Sequence, residues 1–156
     1  MIQQMTLSEL EEKFATEEAC KDYLVAYRWP CGVCCPRCGA SEPYELQSRP
    51  YHWQCPRCAD TGYRFSVLVG TIFENTHISL PKWFQAIHLM LLSKKRVNAH
   101  QIFHLLGFGS YRTARQMCQR IRSGMQDKDF QRLMGIVQAD EGLIFFPLAQ
   151  HPRKIH

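Results

Sequence analysis

Two short segments of this chain are suited to metal chemistry. Cys35-Pro-Arg-Cys38 and Cys55-Pro-Arg-Cys58 are C-x2-C pairs separated by sixteen residues. Zinc takes four soft ligands in a tetrahedron, and one C-x2-C turn delivers two thiolates to the ion. Pro follows the first thiol of each pair and presets the backbone, and Gly39 adds conformational freedom just after Cys38. Cys35, Cys38, Cys55 and Cys58 are therefore the expected ligands of one structural Zn2+. Cys31-Gly-Val-Cys34 has the same spacing and competes for the ion. The shared Cys-Pro-Arg-Cys pattern favours Cys35 and Cys38; the sequence leaves open whether Cys31 and Cys34 are spare thiols or take part in ligand exchange. His52 stands near enough in sequence to replace a ligand, but four cysteines already fill the tetrahedron. Cys20 and Cys118 occupy apolar helical positions and read as core.

The second chemical feature is charge. The net charge is only +5, yet residues 75–126 contain no Asp or Glu and eight Lys and Arg. Such a concentrated field attracts polyanions, which makes nucleic acid the leading partner class. Lys94, Lys95 and Arg96 end one predicted helix. Arg112, Arg115, Gln116, Gln119 and Arg122 form one stripe of another, where Arg and Gln can pair with base edges in a major groove. His88, His100 and His104 read as packing or phosphate-contacting residues. Arg37 and Arg57 of the cysteine segment extend the footprint.

The elements that position these groups fall into an α+β arrangement: a small β zinc ribbon, flanked by short N-terminal helices and followed by a helical module. Thr6-Leu-Ser-Glu9 and Thr16-Glu17-Glu18 read as capping boxes ahead of helices over about 6–14 and 16–28. The ribbon spans 29–70, with aromatic, alternating strands at Tyr44-Glu-Leu-Gln, Tyr51-His-Trp-Gln and Tyr63-Arg-Phe-Ser-Val. So small a sheet is expected to draw folding free energy from its metal. The helical module spans 71–126. A helix started by Ser79-Leu80-Pro81, with Pro in its first turn, buries Trp83, Phe84, Ile87, Met90 and Leu91. Asn98 and Gln101 have capping-box spacing ahead of the next helix, and Gly107-Phe-Gly109 breaks it. Ser110 starts the last, whose Ala114, Met117, Cys118, Ile121 and Met125 face inward. Helix, glycine turn and helix are the parts of a helix-turn-helix.

Length and composition exclude several classes. With 156 residues, 46% hydrophobic and 21% charged, the chain is neither wholly disordered nor a large multidomain enzyme. The longest apolar run, Ala86 to Leu92, is interrupted by His88 and is far below the roughly 20 residues that span a bilayer. Residues 1–10 lack the pattern of a secretory signal, so a cytoplasmic, nucleoid-associated location is expected. A zinc-ribbon docking module or a thiol redox protein remains as a rival class.

Taken in order, Glu17-Glu18-Ala19-Cys20, Arg28-Trp29-Pro30, Cys35-Pro-Arg-Cys38, Gly70-Thr71-Ile72-Phe73, Lys82-Trp83-Phe84, Ser93-Lys94-Lys95 and Arg120-Ile121-Arg122 resemble the N-terminal region of zinc-ribbon insertion-sequence transposases. The resemblance runs over about residues 14–141. It implies a prokaryotic protein whose ribbon and helix-turn-helix bind double-stranded DNA at element ends and precede an RNase-H-like catalytic domain of the DDE type. Gly135-Ile-Val-Gln-Ala-Asp140-Glu141 resembles that domain's first strand, which places Asp140 at the first catalytic position. Here Gly142-Leu-Ile-Phe-Phe-Pro147 follows instead of the family's Thr-Tyr-x-Gly-Gly, and no acid follows Glu141. Two-metal phosphoryl chemistry needs carboxylates from separate strands. The expectation is a truncated recognition part that is not an enzyme on its own, with Asp140 non-functional and 127–156 a remnant strand plus tail. The rival is a transposase active only with a separately encoded catalytic fragment. The apolar Leu143–Leu148 run reads as unrelated tail that self-pairs or stays marginally ordered, which keeps a homo-oligomer open.

Overall fold

A computed structural model describes residues 6–41, 43–58, 62–92, 97–139 and 142–145. Its architecture is α+β, a three-stranded sheet set among helices. Helix α1 (Leu7–Lys13) opens on the expected capping box: the Thr6 hydroxyl accepts from the Glu9 N–H at 3.2 Å, and the Glu9 carboxylate accepts from the Thr6 N–H at 2.9 Å. Helix α2 (Glu17–Arg28) has only half of one. Thr16 Oγ1 accepts from the Ala19 N–H at 3.1 Å, but an alanine there has no carboxylate to return the bond. Glu17 serves elsewhere: its Oε1 accepts the Leu80 N–H at 2.6 Å and so caps the start of helix α3 (Leu80–Leu92).

Strands β1 (Tyr44–Glu45), β2 (His52–Cys55) and β3 (Tyr63–Ser66) pair antiparallel with β2 in the centre; Trp53 faces Phe65, and Cys55 faces Tyr63. Strand β1 is shorter than the alternation predicts, because the chain turns at Leu46, whose N–H donates to the His52 carbonyl at 2.8 Å. Strand β2 starts after Tyr51, not at it, since Tyr51 stands at φ 64°. That conformation is rare for a bulky residue. Here the Tyr51 hydroxyl donates to Asp22 at 2.6 Å and its N–H donates to Glu45 at 3.1 Å, which fixes the ribbon tip on α2. At the other end of α2, Arg28 donates to the Val67 carbonyl at 2.7 Å, and Trp29 meets Trp53 edge-on at 5.3 Å between centroids.

The helical body is built on α3. Trp83, Phe84, Ala86, Ile87 and His88 are buried, whereas Met90 and Leu91, expected in the same stripe, are only half-buried. Phe73 packs edge-on against Trp83 at 5.3 Å, and Phe14 at the end of α1 packs on Phe84 at 4.9 Å. Helices α4 (Ala99–Leu105) and α5 (Tyr111–Gly124) pack on each other and on this core. Cys20 and Cys118 are buried core residues, and burial raises both thiols, Cys20 to about 12 with Glu17 adding to the rise.

The C-terminal part departs from expectation. Residues 127–156 begin with a helix, α6 (Lys128–Leu133), capped by Asp127, whose Oδ1 accepts from the Asp129 N–H at 2.8 Å. Phe130 closes over Gly124, where a Cβ would lie 3.0 Å from the ring. Strands β4 (Ile136–Ala139) and β5 (Gly142–Phe145) then form an antiparallel hairpin in which Ile136 faces Phe145 and Ala139 faces Gly142. Strand β5 lies against α3 and β4 against α6. Pairing with β4 satisfies backbone groups of residues 142–145, while residues 146–148 of the expected tail lie outside the described residues. Self-pairing here takes place within the chain.

Candidate metal centre and nucleic-acid interface

The knuckle that carries the first thiol pair follows from local chemistry. The Gly39 N–H donates to the Cys35 carbonyl at 2.9 Å, which requires the left-handed φ of +78° that glycine adopts freely. The Cys35 N–H donates to the Ala40 carbonyl at 2.9 Å, and the Arg37 N–H points at the Cys35 sulfur at 3.4 Å. The second pair ends β2, so the sheet register itself sets the position of Cys55.

The structure brings Cys35, Cys38, Cys55 and Cys58 together. Their four Sγ atoms all lie within 4.8 Å of one another, with Cys35 and Cys58 at 3.3 Å and Cys38 and Cys55 at 3.6 Å. An ion about 2.3 Å from each sulfur sets tetrahedral S···S separations of about 3.8 Å, so the cage fits one zinc ion with little movement. Cys35 and Cys55 are buried, Cys58 is half-buried and Cys38 is exposed. Among the described residues this is the group of His, Cys, Asp and Glu side chains able to hold a metal. Cys31 and Cys34 are outside it; Cys31 is exposed, and the Cys34 thiol lies 3.6 Å from the Gly32 carbonyl. His52 is outside it as well, its Nδ1 3.0 Å from the Pro50 carbonyl.

The electrostatics of the cage match a cation. Burial pushes the Cys35 thiol up, but the N–H groups of Cys38 and Arg37, with the Cys58 and Cys38 thiols, outweigh it and bring Cys35 down to about 6. Burial and the neighbouring thiols push Cys58 well up, and burial raises Cys55. Four thiols this close cannot all ionise without a compensating charge, and a divalent ion supplies it. Zinc, with no redox chemistry of its own, would act here as a structural clamp.

The joint between α4 and α5 is equally local in origin. Asn98 Oδ1 accepts from the Gln101 N–H at 2.9 Å and Gln101 Oε1 accepts from the Asn98 N–H at 3.0 Å, a full capping box on α4. Helix α4 ends with Gly107 at φ +66° and the Phe108 N–H on the Phe103 carbonyl at 3.2 Å, the bonding of a Schellman stop. Helix α5 then buries Ala114, Met117, Cys118 and Ile121 and exposes Arg112, Arg115, Gln116, Gln119 and Arg122. Met125, expected inside, is half-buried just past the helix end. Arg122 donates to the Val97 carbonyl at 3.0 Å and so also braces α5 against the start of α4. Arg37 stacks over Tyr63 at 4.0 Å, while Arg57 is exposed.

His88 is buried in α3, and desolvation lowers its pKa; it is a packing residue and not a surface contact. His100 stacks on Tyr111 at 4.2 Å and His104 meets Phe103 at 5.1 Å, both near the turn between α4 and α5. Lys94, Lys95, Arg96 and Asp140 lie outside the described residues. Among the described residues no helix is long and apolar enough to cross a membrane. Sequence reasoning gave Arg120 no contact role, though it stands in the acid-free stretch and in the Arg120-Ile121-Arg122 motif; it donates to the Ile72 carbonyl at 3.5 Å and sits in a groove beside α5.

Residues 15–61 match the family model of the transposase zinc-ribbon domain, a span that takes in α2 as well as the cysteine segment. The chain is 29% identical over 128 residues to an uncharacterized protein in the transposable element ISH50 of Halobacterium salinarum (strain ATCC 700922 / JCM 11081 / NRC-1). That alignment covers 82% of this chain and 42% of the relative, so the chain spans less than half of the relative's length. No solved structure matches the chain significantly. Residues 15–61 are thus similar to transposase zinc-ribbon domains, and the four thiols caged around the end of β2 are the metal site that such a ribbon carries.

Proposed function

We propose that this chain is a zinc-dependent double-stranded DNA-binding protein equivalent to the recognition part of an insertion-sequence transposase. The observation that carries the reading is the exposed face of α5, with Arg112, Arg115, Gln116, Gln119 and Arg122 in a 52-residue stretch free of acids. In this reading Cys35, Cys38, Cys55 and Cys58 hold one Zn2+, and α5 enters the major groove. Lys94, Lys95 and Arg96 neutralise phosphates, and the target is the end of a mobile element. In this reading the chain recognises DNA without cutting it alone, since two-metal strand cleavage needs carboxylates from several strands and Asp140 is the one position that resembles them.

The test is a duplex-binding titration across salt. With about five to eight phosphates contacted, log affinity falls with log salt at a slope of roughly −4 to −7. A slope near zero contradicts the reading. Metal-dependent cleavage by the purified chain, lost in Asp140→Asn, would instead establish an active nuclease.

A further inference from the structure

Beside the exposed face of α5 runs an open groove of about 600 Å³, walled on one side by Gln116, Gln119, Arg120 and Ser123 and on the other by the segment Thr71–Asn75. Of its lining residues only Ile72 is apolar. The remainder are hydroxyls, amides, one guanidinium and one carboxylate, largely the side chains that contact sugar and phosphate in protein–DNA complexes.

The wall opposite α5 is held rigid. Thr71 Oγ1 donates to the Leu68 carbonyl at 2.6 Å and accepts from the Phe73 N–H at 3.1 Å. Phe73 is fully buried against Trp83, and Thr76 accepts the Trp83 indole N–H at 2.9 Å. Asn75, at φ 58°, ends the turn in a conformation asparagine tolerates. A wall fixed in advance loses little entropy on binding.

The charges also sort. The Glu74 carboxylate accepts the Gly70 N–H at 3.1 Å and lies in the field of Arg28, which offsets its charge. Arg120 spends one of its five N–H donors on the Ile72 carbonyl, at the long distance of 3.5 Å. It is the cation of the groove.

We infer that this groove seats one sugar–phosphate strand of the duplex alongside α5, with Arg120 on a phosphate and Asn75 and Gln116 on the same strand from opposite walls. The inference rests on the DNA-binding reading above and deepens it. A strand seated here fixes the register of α5 in the groove, so that Thr71–Asn75 acts as a second contact element joined to the ribbon.

The experiment is duplex binding at several salt concentrations for the zinc-loaded wild type, Arg120→Ala, Arg120→Lys, Asn75→Gly and Arg112→Ala. Zinc content and thermal midpoint verify that each variant is folded. Arg120→Ala is expected to weaken binding roughly tenfold and to make the salt slope shallower by about one. Arg120→Lys keeps the slope, and Asn75→Gly, which tolerates the same φ, loses affinity a few-fold at unchanged slope. If Arg112→Ala weakens binding while Arg120→Ala leaves affinity and slope unchanged, the groove assignment is wrong and the DNA reading stands. If the wild type binds no duplex, both fall.

Discussion

The ribbon and the helical body reach order by different routes. In the ribbon, three strands of two to four residues bury little beyond Trp53, Phe65, Val67 and two of the thiols. In the helical body, Phe73, Leu80, Trp83, Phe84, Ile87, Ile102, Met117 and Ile121 are all within two per cent of complete burial. Each such side chain contributes roughly 1.5–3 kcal/mol on removal from water, so the helices stand on packing. The ribbon lacks that reserve, and the thiol cage must supply it through metal. The lesson is that stability and charge are divided in this chain: a metal-set scaffold sits against an apolar body whose outer helix is cationic.

The change that breaks this contrast most severely is Cys55→Ser. Cys55 is buried and central in the sheet, and structural zinc in small ribbons contributes about 10–16 kcal/mol of apparent binding free energy. Zinc stoichiometry by elemental analysis should fall from one per chain toward zero, with β1–β3 unfolded. Phe84→Ala strikes the other region. It should cost about 3–5 kcal/mol in thermal or urea unfolding while zinc remains bound. Loss of zinc along with the helices would erase the division.

Tyr51→Phe probes the seam between the regions. Removing the hydroxyl that bonds Asp22 should cost about 1 kcal/mol and loosen the ribbon tip, read by amide exchange at residues 51–54. Asn98→Ala removes the cap of α4 and should likewise cost about 1 kcal/mol. The smallest effect is the pH dependence of His88. Its folded pKa lies below the unfolded value, so the neutral ring is favoured in the native state. Its destabilising influence is absent above about pH 6.5 and grows as pH falls below that value. A His88→Leu variant should therefore show a flatter stability profile than wild type on that acid side.

What could be read directly from the sequence was local. Cysteine spacing, capping boxes at Thr6 and Asn98, and the inward stripe of α5 each follow from residues within a turn or two of one another. What escaped required distant partners. The half-box at Thr16 could not reveal that Glu17 caps α3, because that bond joins residues 63 apart. Tyr51 looked like a strand residue until Asp22 and Glu45 held it in a left-handed turn. Helix α6 had a signal, Asp127 ahead of Phe130 and Leu133, that was overshadowed by the resemblance of the segment after it to a catalytic strand. The groove at Arg120 depends on residues 71–75 and 116–123 meeting, which no local pattern encodes.

The most direct test of the division is hydrogen exchange of the zinc-loaded chain before and after chelation. The account predicts that amides of β1–β3 and the 35–40 knuckle lose protection, while α3, α4 and α5 keep most of theirs. Equal protection of the ribbon with and without metal, or loss of both regions together, would contradict it.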